Sequence, residues 1–194
     1  GKPLADTRTF VEQLKAVERV GELPPIILAT LRKKMIKLSA EIGDGMIFAN
    51  AARSHMSNSL GALDGSIRDQ DTFFVGNMIP TCISDDIEAA KATNRRTLIG
   101  YVQLTNYQNY WREAGYVEEM DAIAAAVEAG EKDRIPSLMS DKWLADTTLF
   151  GSVSDVMDGV AAWREAGIRT PILVPSSAAG NQMKAFEEMF AAYA

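Results

Sequence analysis

The stretch Pro24–Ala51, "PPIILATLRKKMIKLSAEIGDGMIFANA", changes its apolar period twice. "IILAT" (26–30) is an apolar run without polar alternation, which fits a strand buried on both faces of a parallel sheet. Pro24 and Pro25 stop any helix running into it, because proline clashes with a continuing helix. From Arg32 to Ile42 the period becomes helical, with Met35, Ile36, Leu38, Ser39 and Ile42 on one face. Gly43 is placed to end that helix, and "GMIFANA" (45–51) is a second strand. Strand, helix and strand in such short order make a parallel pair with a right-handed crossover.

The same alternation continues outward. Residues 6–20 read as a short helix or a loosely ordered lead-in, and "SHMSNSLGAL" (54–63) as a helix starting near Ser54. "DGSIRDQDT" (64–72) reads as loop, and "FFVGNMIPTCIS" (73–84) is the third strand. Ser84, Asp85 and Asp86 are N-cap candidates for a long helix towards Leu104. Residues 105–150 form a helical insertion of two or three helices, broken at Gly115 and at "GEKDRIP" (130–136). "SVSDVMDGVAAWREAG" (152–167) is a capped amphipathic helix, "TPILVPS" (170–176) the fourth strand, and a last helix runs from about Ala179 to Tyr193. The expected class is α/β in one domain, 1–194. It is either a small open sheet or half of a (β/α)8 barrel, since a full barrel takes about 250 residues.

Composition narrows the partners. Twenty Lys and Arg stand against 26 Asp and Glu, a net charge of −6, which argues against nucleic acid or an anionic membrane. A local positive site for a small anion remains open. No apolar stretch approaches a membrane span, and the start "GKPLADTRTF" lacks a signal-peptide pattern. It begins with Gly rather than Met, which reads as processing or as a start partway along a longer chain. The lone Cys82 cannot form an intrachain disulfide. It suits a reducing cytoplasm and reads as a packed core thiol.

In either architecture ligands meet the C-terminal ends of the strands. "ATLRKK" (29–34) puts three cations at a helix start, against the helix dipole, which makes sense if an anion binds there; the plain alternative is a solvated basic face. Lys37 lies one turn on. "NAARSH" (50–55) follows the second strand with an amide, Arg53 as a carboxylate or phosphate clamp, a hydroxyl and the only histidine, His55. His55 is the candidate acid or base, against a surface or capping role. Ser176 and Ser177 offer hydroxyls for a phosphate, against plain N-capping. Tyr101, Tyr107, Tyr110, Trp111 and Tyr116 read as core or interface, or as rings over a ligand. No metal-ligand cluster appears, so no metal is expected.

Three stretches together resemble the luciferase-like family of flavin-dependent oxidoreductases, which includes bacterial luciferase and deazaflavin-dependent reductases. They are the opening one with "LRKKM" and "SAEIGDGMI", then "FVGNMIPTCISDDIEAAKATNRRTLIGYVQLTNYQNYWREAGY", then "SVSDVMDGVAAWREAGIRTPILVP". The resemblance covers roughly residues 24–190. It implies a TIM (β/α)8 barrel of which these segments are the C-terminal half, strands five to eight. It implies a cofactor held by Ala29, Thr30, Leu31 and Lys34 after one strand and by Ile47, Ala49 and Asn50 at the end of the next. Arg32 and Lys33 stand where many members have Gly-Pro. The implied activity is a monooxygenase that oxidises an organic substrate with reduced FMN and O2, supplied by a flavin reductase. The alternatives are a deazaflavin-dependent hydride transfer, and a non-catalytic half-barrel that needs a partner. That partner would be a second copy in a homodimer, or a missing N-terminal half.

Overall fold

A computed structural model describes residues 2–68 and 70–194. In chain order it contains α1 (Pro3–Lys15), β1 (Ile27–Ala29), α2 (Lys33–Ile42), β2 (Gly45–Ala49), α3 (Met56–Leu60), α4 (Gly65–Arg68) and β3 (Phe74–Ile83). There follow α5 (Ile87–Val102), α6 (Thr105–Glu113), α7 (Val117–Glu128), α8 (Ile135–Leu138), α9 (Asp141–Thr147), β4 (Leu149–Gly151), α10 (Val153–Glu165), β5 (Thr170–Pro175) and α11 (Gln182–Ala192). The strands are all parallel.

β3 is the organising strand. Its Phe74 amide and Met78 carbonyl meet Asp44 and Asn50 beside β2, and the Ser84 amide meets Gly151 at the end of β4. The Thr81 carbonyl accepts from Ser176 beyond β5. Peptide groups along a strand alternate in direction, so β2 and β4 share one edge of β3, at its two ends, and β5 takes the other. β4 is the one strand the sequence pattern did not announce: only Thr148 separates it from α9, and it ends a stretch that reads as helical throughout. The short segment 65–68, expected as loop, makes a single helical turn.

Several local choices explain this order. Asp44 ties the starts of β1 and β2: its amide donates to the Ile26 carbonyl and its Oδ2 accepts from the Ile26 amide, each at 2.8 Å. Gly45 then leaves room for the Phe74 side chain, which stands where a Cβ would be. Asp86 caps α5 through the Ala89 amide. Ser152 and Asp155 form a reciprocal capping box that starts α10 straight from β4.

Leu28, Met46, Phe48, Val75 and Ile79 turn towards the helices and are buried. They share a face because Leu28, Met46 and Val75 lie abreast. Trp111, Trp143 and Trp163 are fully buried and fill the space between sheet and helices. The other face is more open: Ile27 is 36% and Met78 39% exposed. Cys82 is buried, and burial pushes its thiol pKa up, as expected of a packed, unreactive group.

Candidate functional site

The C-terminal ends of β1 and β2 lie side by side, with the Thr30 amide donating to the Ile47 carbonyl at 2.8 Å. Beyond them a cleft of about 510 Å³ is lined by Arg32, Lys33, Lys34, His55, Asn58 and Glu113. Arg32 is the N-cap residue of α2, but no side chain caps that helix and no acid stands in its first turn. Its dipole is thus opposed by cations and unsatisfied by any internal anion on the helix itself. The compensating carboxylate comes from α6, where Glu113 accepts from Arg32 Nε at 2.9 Å and from Nη2. This contact raises the Arg32 pKa. Both partners are more than 40% exposed, so the pair contributes little to stability.

His55 ends a 3-10 turn over 53–55 and faces Tyr110 edge-on, with ring centroids 5.6 Å apart. Burial lowers its pKa; Glu113 and Asp146 oppose that shift, and Lys33 adds to it. The imidazole is therefore neutral at pH 7, able to donate at one nitrogen and accept at the other.

The loop that carries His55 is gripped from the far segment of the chain. The Trp111 indole donates to the Asn50 carbonyl at 3.2 Å, and the Ala52 amide donates to the Tyr110 hydroxyl at 3.1 Å. Asp146 accepts from the Ser54 amide at 2.9 Å, the Ser54 hydroxyl at 2.6 Å and the Tyr116 hydroxyl at 2.8 Å. Burial raises the Tyr110 pKa to about 12, and burial with the Asp146 bond raises that of Tyr116. Both phenols stay protonated. Tyr110, Trp111 and Tyr116 are thus core, but core that holds the site loop, while Tyr101 is 37% exposed.

The expected site residues divide. Ala29, Ile47 and Ala49 lie on the open face, with Ala29 abreast of Ile47. Leu31 packs against the main core, while Lys34 lines the cleft. Thr30 and Asn50 are buried, and neither Thr30 Oγ1 nor Asn50 Nδ2 has a hydrogen-bond partner. Asn50 also holds φ 57°, a left-handed conformation that asparagine tolerates. Arg53 lines a different cleft of about 320 Å³ with Thr148, Phe150 and Asp155. Lys37 lines a hollow behind α2 with Glu41 and Asp64. Ser176 donates its amide to Thr81 and has its hydroxyl 3.5 Å from that of Thr97. The Ser177 hydroxyl accepts from the Ala179 amide at 3.1 Å and donates to the Glu188 carboxylate at 3.0 Å. None of these last four residues lines the His55 cleft. Asn58, Glu113 and Asp146 carried no local sequence signal.

The sequence profile of the luciferase-like monooxygenase family matches residues 4–170. The chain belongs to that family. Comparison with curated protein sequences gave no match. Among solved structures the chain is similar to the coenzyme F420-dependent tetrahydromethanopterin reductase from Methanopyrus kandleri. The two are 15% identical with a TM-score of 0.66, over 85% of this chain and 48% of that one. It is also similar to an F420-dependent secondary alcohol dehydrogenase solved with an F420–acetone adduct, at 14% identity and TM-score 0.58, over 90% and 50%. These likenesses show the fold, a TIM-barrel type, and the chain spans about half the length of both neighbours. Family members of this kind bind flavin-type cofactors. The residues present here fit the phosphate end of one: the cations around the uncapped start of α2 suit a phosphate, while the unpartnered Thr30 hydroxyl and Asn50 amide are buried at the ends of the same two strands and outside the lining of the cleft. Among the described residues no His, Cys, Asp and Glu group is suited to a metal, and no helix is long and apolar enough to cross a membrane.

Proposed function

We propose that this chain supplies the cofactor side of a luciferase-like oxidoreductase, and that the cofactor is a deazaflavin of the F420 type serving a small organic substrate. The observation that carries this reading is the cleft where Arg32, Lys33, Lys34 and His55 surround an uncapped helix start, at the ends of two strands that also carry the unpartnered, buried Thr30 hydroxyl and Asn50 amide. Both solved neighbours are F420-dependent enzymes, which favours the deazaflavin over FMN. A bound deazaflavin supplies two-electron hydride chemistry, which the protein only has to orient and keep dry. Thr30 and Asn50 would hold the polar edge of the ring system. Lys33 and Lys34, with the amides of the first turn of α2, would hold the phosphate. His55, neutral at pH 7, would hold or move a proton at the rim.

A second reading has one observation behind it, the family's own description as a monooxygenase. In that reading the cofactor is reduced FMN, delivered by a flavin reductase. Either activity needs a closed barrel, since this chain spans half of its neighbours. The remaining strands would come from a second copy or from an N-terminal half.

The test is a fluorescence titration of the chain with F420 and with FMN. Saturable binding with F420 the tighter ligand supports the first reading. Preference for FMN supports the second. Absence of binding to both overturns the assignment of a cofactor site to this chain.

A further inference from the structure

Nothing in the cofactor reading needs Asp146, yet no carboxylate in the described structure is more heavily used away from a cation. It sits on α9, is only 8% exposed, and accepts three hydrogen bonds, all from neutral donors. A buried carboxylate costs stability unless its lone pairs are satisfied, and two lysines or arginines would do this more strongly than a serine and a tyrosine. An apolar or amide residue would fill the same space without that cost. Two of the three bonds go to Ser54, the residue before His55, one to its amide and one to its hydroxyl. The third goes to Tyr116 at the start of α7. The carboxylate therefore fixes the peptide that carries the histidine, and the tyrosine fixes the carboxylate.

We infer that Asp146 is a positioning residue of the cleft: from the far wall of the molecule it fixes the peptide that carries His55 and so the place of the imidazole. The inference rests on the reading of the cleft as the cofactor site. Asp146 acts with the other groups that face the histidine: Glu113 and Tyr110 on α6, and Lys33 on α2. The two acids favour the protonated imidazole, while Lys33 and burial oppose it. Segment 105–150 is on this account a wall of the site rather than an appendage.

The test needs no cofactor, so it stands or falls apart from the cofactor reading. His55 is the only histidine, and its ring proton resonance gives its titration directly. Asp146→Asn keeps an oxygen for the Ser54 amide and removes the charge. It is expected to leave the fold and the loop in place and to move the His55 midpoint down. Asp146→Ala removes the acceptor as well, and is expected to speed hydrogen exchange of the Ser54 amide about tenfold or more, as local opening becomes easier. Tyr116→Phe keeps both Ser54 bonds and should shift the midpoint less than Asp146→Asn. An unchanged His55 midpoint in folded Asp146→Asn would mean that the carboxylate does not lie against the His55 peptide, and would overturn the inference. So would an unchanged Ser54 exchange rate in Asp146→Ala. If Asp146→Ala does not fold, the asparagine variant alone decides.

Discussion

Two strand ends in this molecule look alike in sequence and differ in structure. After β1 comes "ATLRKK", after β5 comes "PSSAAGN", and each leads a strand into a helix with groups able to bind an anion. At the β5 end most of those groups are spent, and the one unpartnered buried atom there is an acceptor, Glu188 Oε2. Asn181 caps α11 through the Met183 and Lys184 amides, and the Ser177 hydroxyl is taken by Ala179 and by the Glu188 carboxylate. A phosphate there would face a carboxylate and displace existing bonds. At the β1 end the helix start has no cap, the cations have only Glu113 among them, and Thr30 and Asn50 keep unpartnered atoms. Binding capacity follows from what local structure leaves unsatisfied, and residue type alone does not report it.

The comparison can be broken most forcefully through the core that supports the β1 side. Trp111→Ala removes a fully buried ring and the indole bond to the Asn50 carbonyl. A loss of about 3–5 kcal/mol of stability is expected for a buried Trp→Ala change, read by denaturant unfolding. Retained stability would mean that α6 does not brace the loop. A smaller effect is expected at Glu113→Gln. Removing the internal carboxylate frees Arg32, so cofactor or inorganic phosphate should bind a few-fold tighter at low salt, and the gain should fade as salt rises. Weaker binding would show that Glu113 itself contacts the ligand. His55→Ala should leave cofactor affinity largely intact, and a large loss would make the histidine a binding group. The same variant tests a pH effect. Burial lowers the His55 pKa in the fold, so between that value and the ordinary one near 6.5 the unfolded chain binds more protons. Stability contributed by the neutral ring is present above the ordinary value and is lost as pH falls through this window. The slope should shrink in His55→Ala, which unfolding at two pH values would reveal.

Much of this was legible in the chain. β1, β2, β3 and β5 appear as apolar runs although only the helix-facing side is fully buried, because the open face carries Ile27, Ile47 and Met78 as well, and α2 and α10 appear as periodic stretches with evident ends. β4 was hidden because it ends a stretch that reads as helical. Thr30, Lys34, Asn50 and His55 follow strands closely, so topology alone brings them to the C-terminal ends of β1 and β2. The partners that fix their chemistry come from far away. Glu113 lies 81 residues from Arg32, and Asp146 lies 92 from Ser54. No local period encodes such contacts. Arg53 shows the converse: two residues from His55, it turns into another cleft because a 3-10 turn spreads successive side chains around its axis.

The most direct measurement is a side-by-side titration of three proteins with F420: the unaltered chain, Lys34→Glu, and the double variant Ser176→Ala with Ser177→Ala. Losing a charge-assisted contact of about 3 kcal/mol corresponds to roughly a hundredfold in affinity, and that loss is the result expected for Lys34→Glu. The serine variant should bind like the unaltered chain. Equal affinity in Lys34→Glu, or a loss confined to the serine variant, would contradict the account and move the cofactor site to the other end of the sheet.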